Sequence, residues 1–143
     1  MLIYLIDEDT ISLYLTERVL RLEDFGKAIL PFTAAEEALA FLLPRLTTEL
    51  PQVIFLDLNM PVMNGWEFLE ALIPYESQLR GQCRIYLLTS SLALADSARA
   101  QYYPLVAGVI HKPLDEDDVK AISADTYENV RLNARSQVSR RGR

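Results

Sequence analysis

The sequence predicts an α/β protein, a single five-stranded parallel sheet with helices on both faces. Three observations lead there. Short apolar runs rich in β-branched residues alternate with longer stretches of helical period. The apolar runs lack clean two-residue alternation, which is what burial on both faces of a sheet produces. Acids, hydroxyls and a lysine gather where those runs end, and sites in such sheets form at the carboxyl ends of the strands, beside the switch point.

The elements follow in order. LIYLI at 2–6 reads as the first strand; it lacks the basic flank of an export signal and runs straight into Asp7, Glu8 and Asp9. Ile11, Leu13, Tyr14, Leu15, Val19 and Leu20 then predict a helix over 10–22, with Asp9 as its N-cap. A second strand is placed at 27–31 (KAILP), and a second helix starts after Thr33, a good N-cap residue. The third strand is QVIFL at 52–56, followed by a helix that carries Phe68, Leu69, Leu72, Ile73 and Trp66, the last as a core anchor. The fourth strand is RIYLL at 84–88, with a helix over 92–102. The fifth is VAGVI at 106–110, and a fifth helix begins at Asp115, where DEDD favours the positive end of the helix dipole. Strict alternation of this kind implies right-handed crossovers.

Bulk properties narrow the class. The 143 residues suit one domain, and 50% hydrophobic with 24% charged residues describes a soluble globular chain. No apolar run approaches the roughly 20 residues that cross a bilayer, so a cytoplasmic location is expected. The one cysteine, Cys83, rules out an intramolecular disulfide and reads as a small residue opening a strand. Net charge is −6 but uneven. All 20 acids lie at or before Glu128 with only 9 of the 14 Lys and Arg, while residues 131–143 hold five arginines and no acid. An acidic body argues against nonspecific nucleic-acid binding by the domain.

The strand ends carry the chemistry. Asp7, Glu8 and Asp9 follow the first strand, Asp57 the third, Thr89, Ser90 and Ser91 the fourth, and Lys112 the fifth. Carboxylates converging at Asp7, Glu8 and Asp57 repel one another at low dielectric, so such a pocket needs a cation. Hard oxygen donors suit Mg²⁺ or Mn²⁺ and not zinc. The lone histidine, His111, reads as a strand residue.

LIDED at 5–9, FLDLNMPVMNG at 55–65, LLTSS at 87–91 and HKP at 111–113 together resemble the receiver domains of two-component response regulators, over about residues 1–123. The resemblance implies a flavodoxin-like (βα)5 fold with strand order 2-1-3-4-5, a stand-alone receiver akin to chemotaxis regulators. It implies Asp57 as phosphoryl acceptor, with Asp7, Glu8, Asp57 and the backbone carbonyl of Asn59 holding Mg²⁺. Thr89 would hydrogen-bond the phosphoryl group and Lys112 would pair with its oxygens, beside a cis Lys112–Pro113 bond. Gly65 would let the loop after Asp57 turn sharply into its helix. The implied partner is a sensor histidine kinase or a histidine phosphotransfer protein, with a downstream target protein unnamed and a homodimer left open. Such a domain signals and is not a turnover enzyme.

Two departures stand out. Glu8 occupies a position where many relatives have Asp. Val109 stands where the family usually carries Phe or Tyr as a moving ring, and valine is stiff at χ1. Residues 124–143 are expected to be a basic extension, continuing helix five or disordered, with no effector or DNA-binding domain. The rival from another class is a haloacid-dehalogenase-like phosphatase with Asp7 as nucleophile, since DEDTI at 7–11 resembles its DxDxT motif, but Ile11 stands where Thr or Val belongs. A third reading is a pseudo-receiver that binds protein without chemistry; its hallmark would be loss of Asp57 or of the acid pair, and all three acids are present.

Overall fold

Alternate residues along each central strand enter opposite cores, and this two-sided burial organises the fold. The computed structural model describes residues 1–91 and 94–126. Its strands are β1 (Leu2–Ile6), β2 (Ala28–Phe32), β3 (Val53–Asp57), β4 (Arg84–Thr89) and β5 (Val106–His111). All pair in parallel in the order β2-β1-β3-β4-β5. This is the flavodoxin-like order. The helices are α1 (Thr10–Leu22), α2 (Ala35–Leu42), α3 (Gly65–Leu72), α4 (Leu94–Ala100) and α5, helical over 116–126. A further helical turn, Glu76–Leu79, leads into β4.

Tyr4, Ile6, Ile54, Leu56, Ile85 and Leu87 face the core beneath α2, α3 and α4. Their neighbours Ile3, Leu5, Val53, Phe55, Tyr86 and Leu88 face the core beneath α1 and α5. Each of β1, β3 and β4 therefore buries both its faces, and the hydrophobic effect holds helices on both sides of one sheet. β2 is an edge strand, where Pro31 lacks a ladder donor at little cost. Among the described residues no helix is long and apolar enough to cross a membrane.

The helix starts show where local signals succeed and fail. Asp9 caps α1, its Oδ1 accepting from the N–H groups of Ile11 and Ser12. Asp115 caps α5 reciprocally with Asp118. Thr33 does not cap α2. The extended backbone continues one residue further, Ala34 takes the cap position with no side-chain bond, and Glu36 and Glu37 in the first turn face the dipole instead. The expected end of helix four differs as well, since 101–102 form a turn after α4, while its expected start at residue 92 lies outside the described residues. Helix five crosses the 123/124 boundary to residue 126, and the rest of the expected extension, 127–143, lies outside the described residues.

Gly65 is required for a reason other than turning. Its backbone needs no left-handed φ, but a Cβ there would stand 2.9 Å from both the Asp57 carbonyl oxygen and Leu58 Cα. The Gly65 N–H also donates to Leu58 O at 3.1 Å. Asn64 and Glu67 close a capping box around the same point, so α3 starts in contact with the end of β3. Backbone atoms cannot move aside as side chains do, so Gly65→Ala is expected to destabilise the fold by about 2 kcal/mol, the usual cost of overpacking. Urea unfolding of wild type and variant reads this directly; an unchanged midpoint would refute the close-approach account.

Candidate functional site

The site forms where β1, β3, β4 and β5 end. Asp57 is itself the last residue of β3, and Thr89 the last of β4, so sheet hydrogen bonding fixes both backbones. Asp7 follows β1 directly, its N–H bonded to Phe32 O at 3.0 Å. Lys112 follows β5, its N–H donating to Thr89 O at 2.8 Å, and the Lys112–Pro113 bond is cis. Asp7, Asp57 and Thr89 are buried, at 3%, 5% and 3% exposure, and the two carboxylates need partners to be held there as charges.

The partner is Lys112. Its ammonium lies 2.6 Å from Asp7 Oδ2 and 3.5 Å from Asp57 Oδ2. The other Asp7 oxygen, Oδ1, accepts the Asp9 N–H at 3.0 Å. Asp57 Oδ1 accepts the Asn59 N–H at 3.3 Å. Thr89 Oγ1 accepts the Ser91 N–H at 3.0 Å and donates to Ser91 O at 3.4 Å.

One cation shared between two carboxylates leaves them unequal. Burial alone would raise Asp7, but hydrogen bonds from Lys112, Ser12 and the Asp9 N–H outweigh it and hold the group below its usual range. Burial, and then the Asp7 charge beside it, push Asp57 up to about 6 against the pull of Lys112 and the Asn59 N–H. Asp57 is thus mostly ionised at neutral pH while sitting in a place that disfavours its charge.

Not every expected residue converges. Asp7, Asp57, Thr89 and Lys112 come together, with Asn59 beside Asp57. Glu8 is exposed, because the chain leaving β1 turns Asp7 inward and the next side chain outward. Among the described residues no three acids, histidines or cysteines are grouped as a metal site. The donor chemistry nonetheless fits a hard divalent cation: two buried carboxylates share a single ammonium, so the cluster keeps a net negative charge, and Glu8 adjoins Asp7.

Other candidates resolve simply. His111 is exposed at the end of β5. Cys83 is buried and burial pushes its thiol up to about 12, so it is an inert core residue. Val109 pairs with Leu87 and packs partly buried against the core of α3 and α4. One feature of the site escaped the sequence reading. Val62, in the β3–α3 loop, is 87% exposed with φ 69, a left-handed conformation rare for a β-branched residue. The motif around it marked a loop, but nothing in a valine signals positive φ.

A family model described as the response regulator receiver domain matches residues 3–124, and the chain belongs to that family. Among solved structures it resembles a two-component response regulator from Cytophaga hutchinsonii, with a TM-score of 0.83, 26% identity, and coverage of 89% of this chain and 96% of that one. A two-component response regulator from Legionella pneumophila gives 0.74 at 26% identity, covering 88% and 97%. A CheY-like receiver domain protein from Methanospirillum hungatei shares the fold at 23% identity, with a TM-score of 0.71 and coverage of 92% and 97%. No curated protein matches the sequence.

The raised Asp57 carboxyl makes a prediction with a definite sign. Its native pKa of about 6 lies above the unfolded value, so the native state holds the extra proton between roughly pH 4 and 6 and stability falls as pH rises through that window. Without divalent cation, Asp57→Asn is therefore expected to be more stable than wild type above pH 6, on the order of 1–2 kcal/mol. The difference should vanish near pH 4. Thermal melts in EDTA across this range test it, and a wild type at least as stable as the variant at pH 7.5 would contradict the assigned electrostatics.

Proposed function

We propose that residues 1–123 act as the phosphoacceptor receiver of a two-component phosphorelay, with Asp57 taking the phosphoryl group. The observation that carries this reading is the Lys112 ammonium held between Asp7 and Asp57 at the carboxyl edge of a parallel sheet. The donor is a histidine kinase or a histidine phosphotransfer protein, and the output is a contact with another protein. Residues 124–143 form a basic extension outside the phosphoryl chemistry.

Each residue has a task. An ionised Asp57 oxygen attacks phosphorus in line; the new P–O bond forms as the bond to the donor nitrogen breaks, and that nitrogen leaves with its electron pair. Charge spreads over the three phosphoryl oxygens, so catalysis is largely positioning and cationic stabilisation. Lys112 is placed to move its hydrogen bonds from the carboxylates to those oxygens. Thr89 offers its hydroxyl to the same group once it turns from Ser91. Asp7, Glu8, Asp57 and the Asn59 carbonyl would hold Mg²⁺, with Mn²⁺ as a substitute; the ion supplies positive charge against the phosphoryl oxygens. The domain is a signalling element whose own phosphoryl group is the message, not a turnover enzyme.

Acetyl phosphate with Mg²⁺ is expected to add the mass of one phosphoryl group, and Asp57→Ala to abolish it. Lys112→Met should slow labelling by about a hundredfold, the usual loss when a preorganised stabiliser of developing charge is removed. Intact-mass spectrometry reads both, and an adduct that persists in Asp57→Ala would overturn the assignment of the acceptor. Mg²⁺ should also raise the melting temperature by binding only the native site. Glu8→Gln is expected to shrink that rise and to leave the metal-free protein close to wild type in stability, because the exposed Glu8 carboxylate stands apart from the Asp7–Asp57 pair. Calorimetry with and without Mg²⁺ checks this, and an undiminished rise would show that Glu8 is not a ligand.

A further inference from the structure

Among the described residues, α1 carries a second apolar line on the side that faces away from the sheet. Leu13, Thr16 and Leu20 are its buried residues. Ile11, Tyr14, Leu15 and Leu22 are 70%, 61%, 49% and 73% exposed, four of the nine large apolar side chains that the described residues leave in solvent. One exposed leucine needs no explanation, but four on one helix make a patch. Helical periodicity sets Ile11, Leu15, Arg18 and Leu22 in a single line, opposite the buried one.

The spacing of that line decides what can cover it. Its members are separated by four, three and four positions, the seam spacing of a coiled coil. The series reads the same in reverse. An antiparallel copy of α1 therefore meets it in register, Ile11 against Leu22 of the second copy and Leu15 against Arg18, each pair made twice. The flank is complementary as well. Tyr14 and Arg21 are seven positions apart, hence on one side of the line, and the overlay brings Tyr14 of one copy beside Arg21 of the other, a ring beside a cation. The Arg18 guanidinium is drawn aside, its Nη1 donating to the Tyr14 hydroxyl at 3.4 Å, which leaves its methylene stem along the line. A shallow cavity of about 440 Å³, lined by Tyr14, Glu17, Arg18, Arg21 and Leu22, faces the Ile11 end of the second copy. The body of the domain is acidic, yet the line itself holds no carboxylate to oppose such a copy.

We propose that α1 is a self-association surface, on which a second copy of this chain docks antiparallel about a two-fold axis near the middle of the helix. The assignment is independent of the phosphoacceptor reading. With 13 residues α1 is about 20 Å long, so one helix pair covers less than the roughly 1,200 Å² of a stable complex. The two Arg18 side chains also flank the axis with like charge. The dimer is accordingly weak and reversible.

Sedimentation velocity of the full chain tests this. Wild type is expected to pass from monomer toward dimer between about 10 µM and about 1 mM, the range of a small interface. Leu15→Glu and Leu22→Glu should each abolish the transition, since the pair would bury an unpaired carboxylate. Arg18→Leu should tighten it about tenfold, by exchanging two like charges for apolar contact at the axis. Leu94→Glu, at an exposed position of α4, should change nothing. Thermal melts establish that each variant is folded. A wild type still monomeric at about 1 mM, or self-association that survives in both folded glutamate variants, would overturn the proposal and leave the line to a different partner. Thiol cross-linking tests the register. Cys83 is buried, so an introduced cysteine is the reactive one. Ile11→Cys mixed with Leu22→Cys should give disulfide-linked pairs, and either variant alone far fewer. Efficient cross-linking of Ile11→Cys to itself would overturn the antiparallel arrangement.

Discussion

Two carboxylates, Asp7 and Asp57, are buried at the carboxyl edge of the sheet with one ammonium between them. Burying either charge alone would cost several kcal/mol, so Lys112 is the condition on which the rest of that edge can close. It can serve both acids only because β1, β3 and β5 end level with one another. That level is set by sheet register: Asp57 faces Leu88, Thr89 faces His111, and the Lys112 N–H is bonded to the Thr89 carbonyl. Secondary structure and site chemistry are therefore one construction.

The compensation is incomplete, and this is what makes the edge useful. Lys112 lies nearer Asp7, so Asp57 keeps a charge that its surroundings disfavour. A carboxylate in that position gains from any cation placed beside it. The price in stability is met by two large cores, since every central strand buries both faces. In the same region Val62 holds a left-handed backbone, and Gly65 admits no Cβ because α3 starts against the end of β3.

The helices differ in how they respond to this edge. α1 is fixed by the Asp9 cap, and the Asp9 N–H in turn orients Asp7. α3 is fixed by the Asn64–Glu67 box and the buried side chains of Trp66, Phe68, Leu69 and Leu72. α4 buries only Ala100, and among the described residues its C-terminal end meets α3 through polar and aromatic contacts of Arg99 and Tyr103 with Trp66 and Glu70. Val109 adds no ring to this region; the rings there are Trp66 and Tyr103.

The sequence by itself determined the element order, each strand to within a residue, the span of α1, and the residues that end the strands. These are local properties: apolar period, capping chemistry and the placement of polar groups after apolar runs are all written within a few positions. Tertiary structure decided what depends on approach between distant segments. Lys112 meets Asp7 across 105 positions, and Gly65 is needed because two backbones touch rather than because a turn demands it. Adjacent, chemically identical side chains part company: Tyr102 is 85% exposed while Tyr103 is 9% exposed and bonded to Glu70. Asp7 is buried while the adjoining Glu8 is exposed. Periodicity names the faces of a helix or strand, but once the chain leaves a regular element, only packing against the rest of the molecule chooses which neighbour turns in.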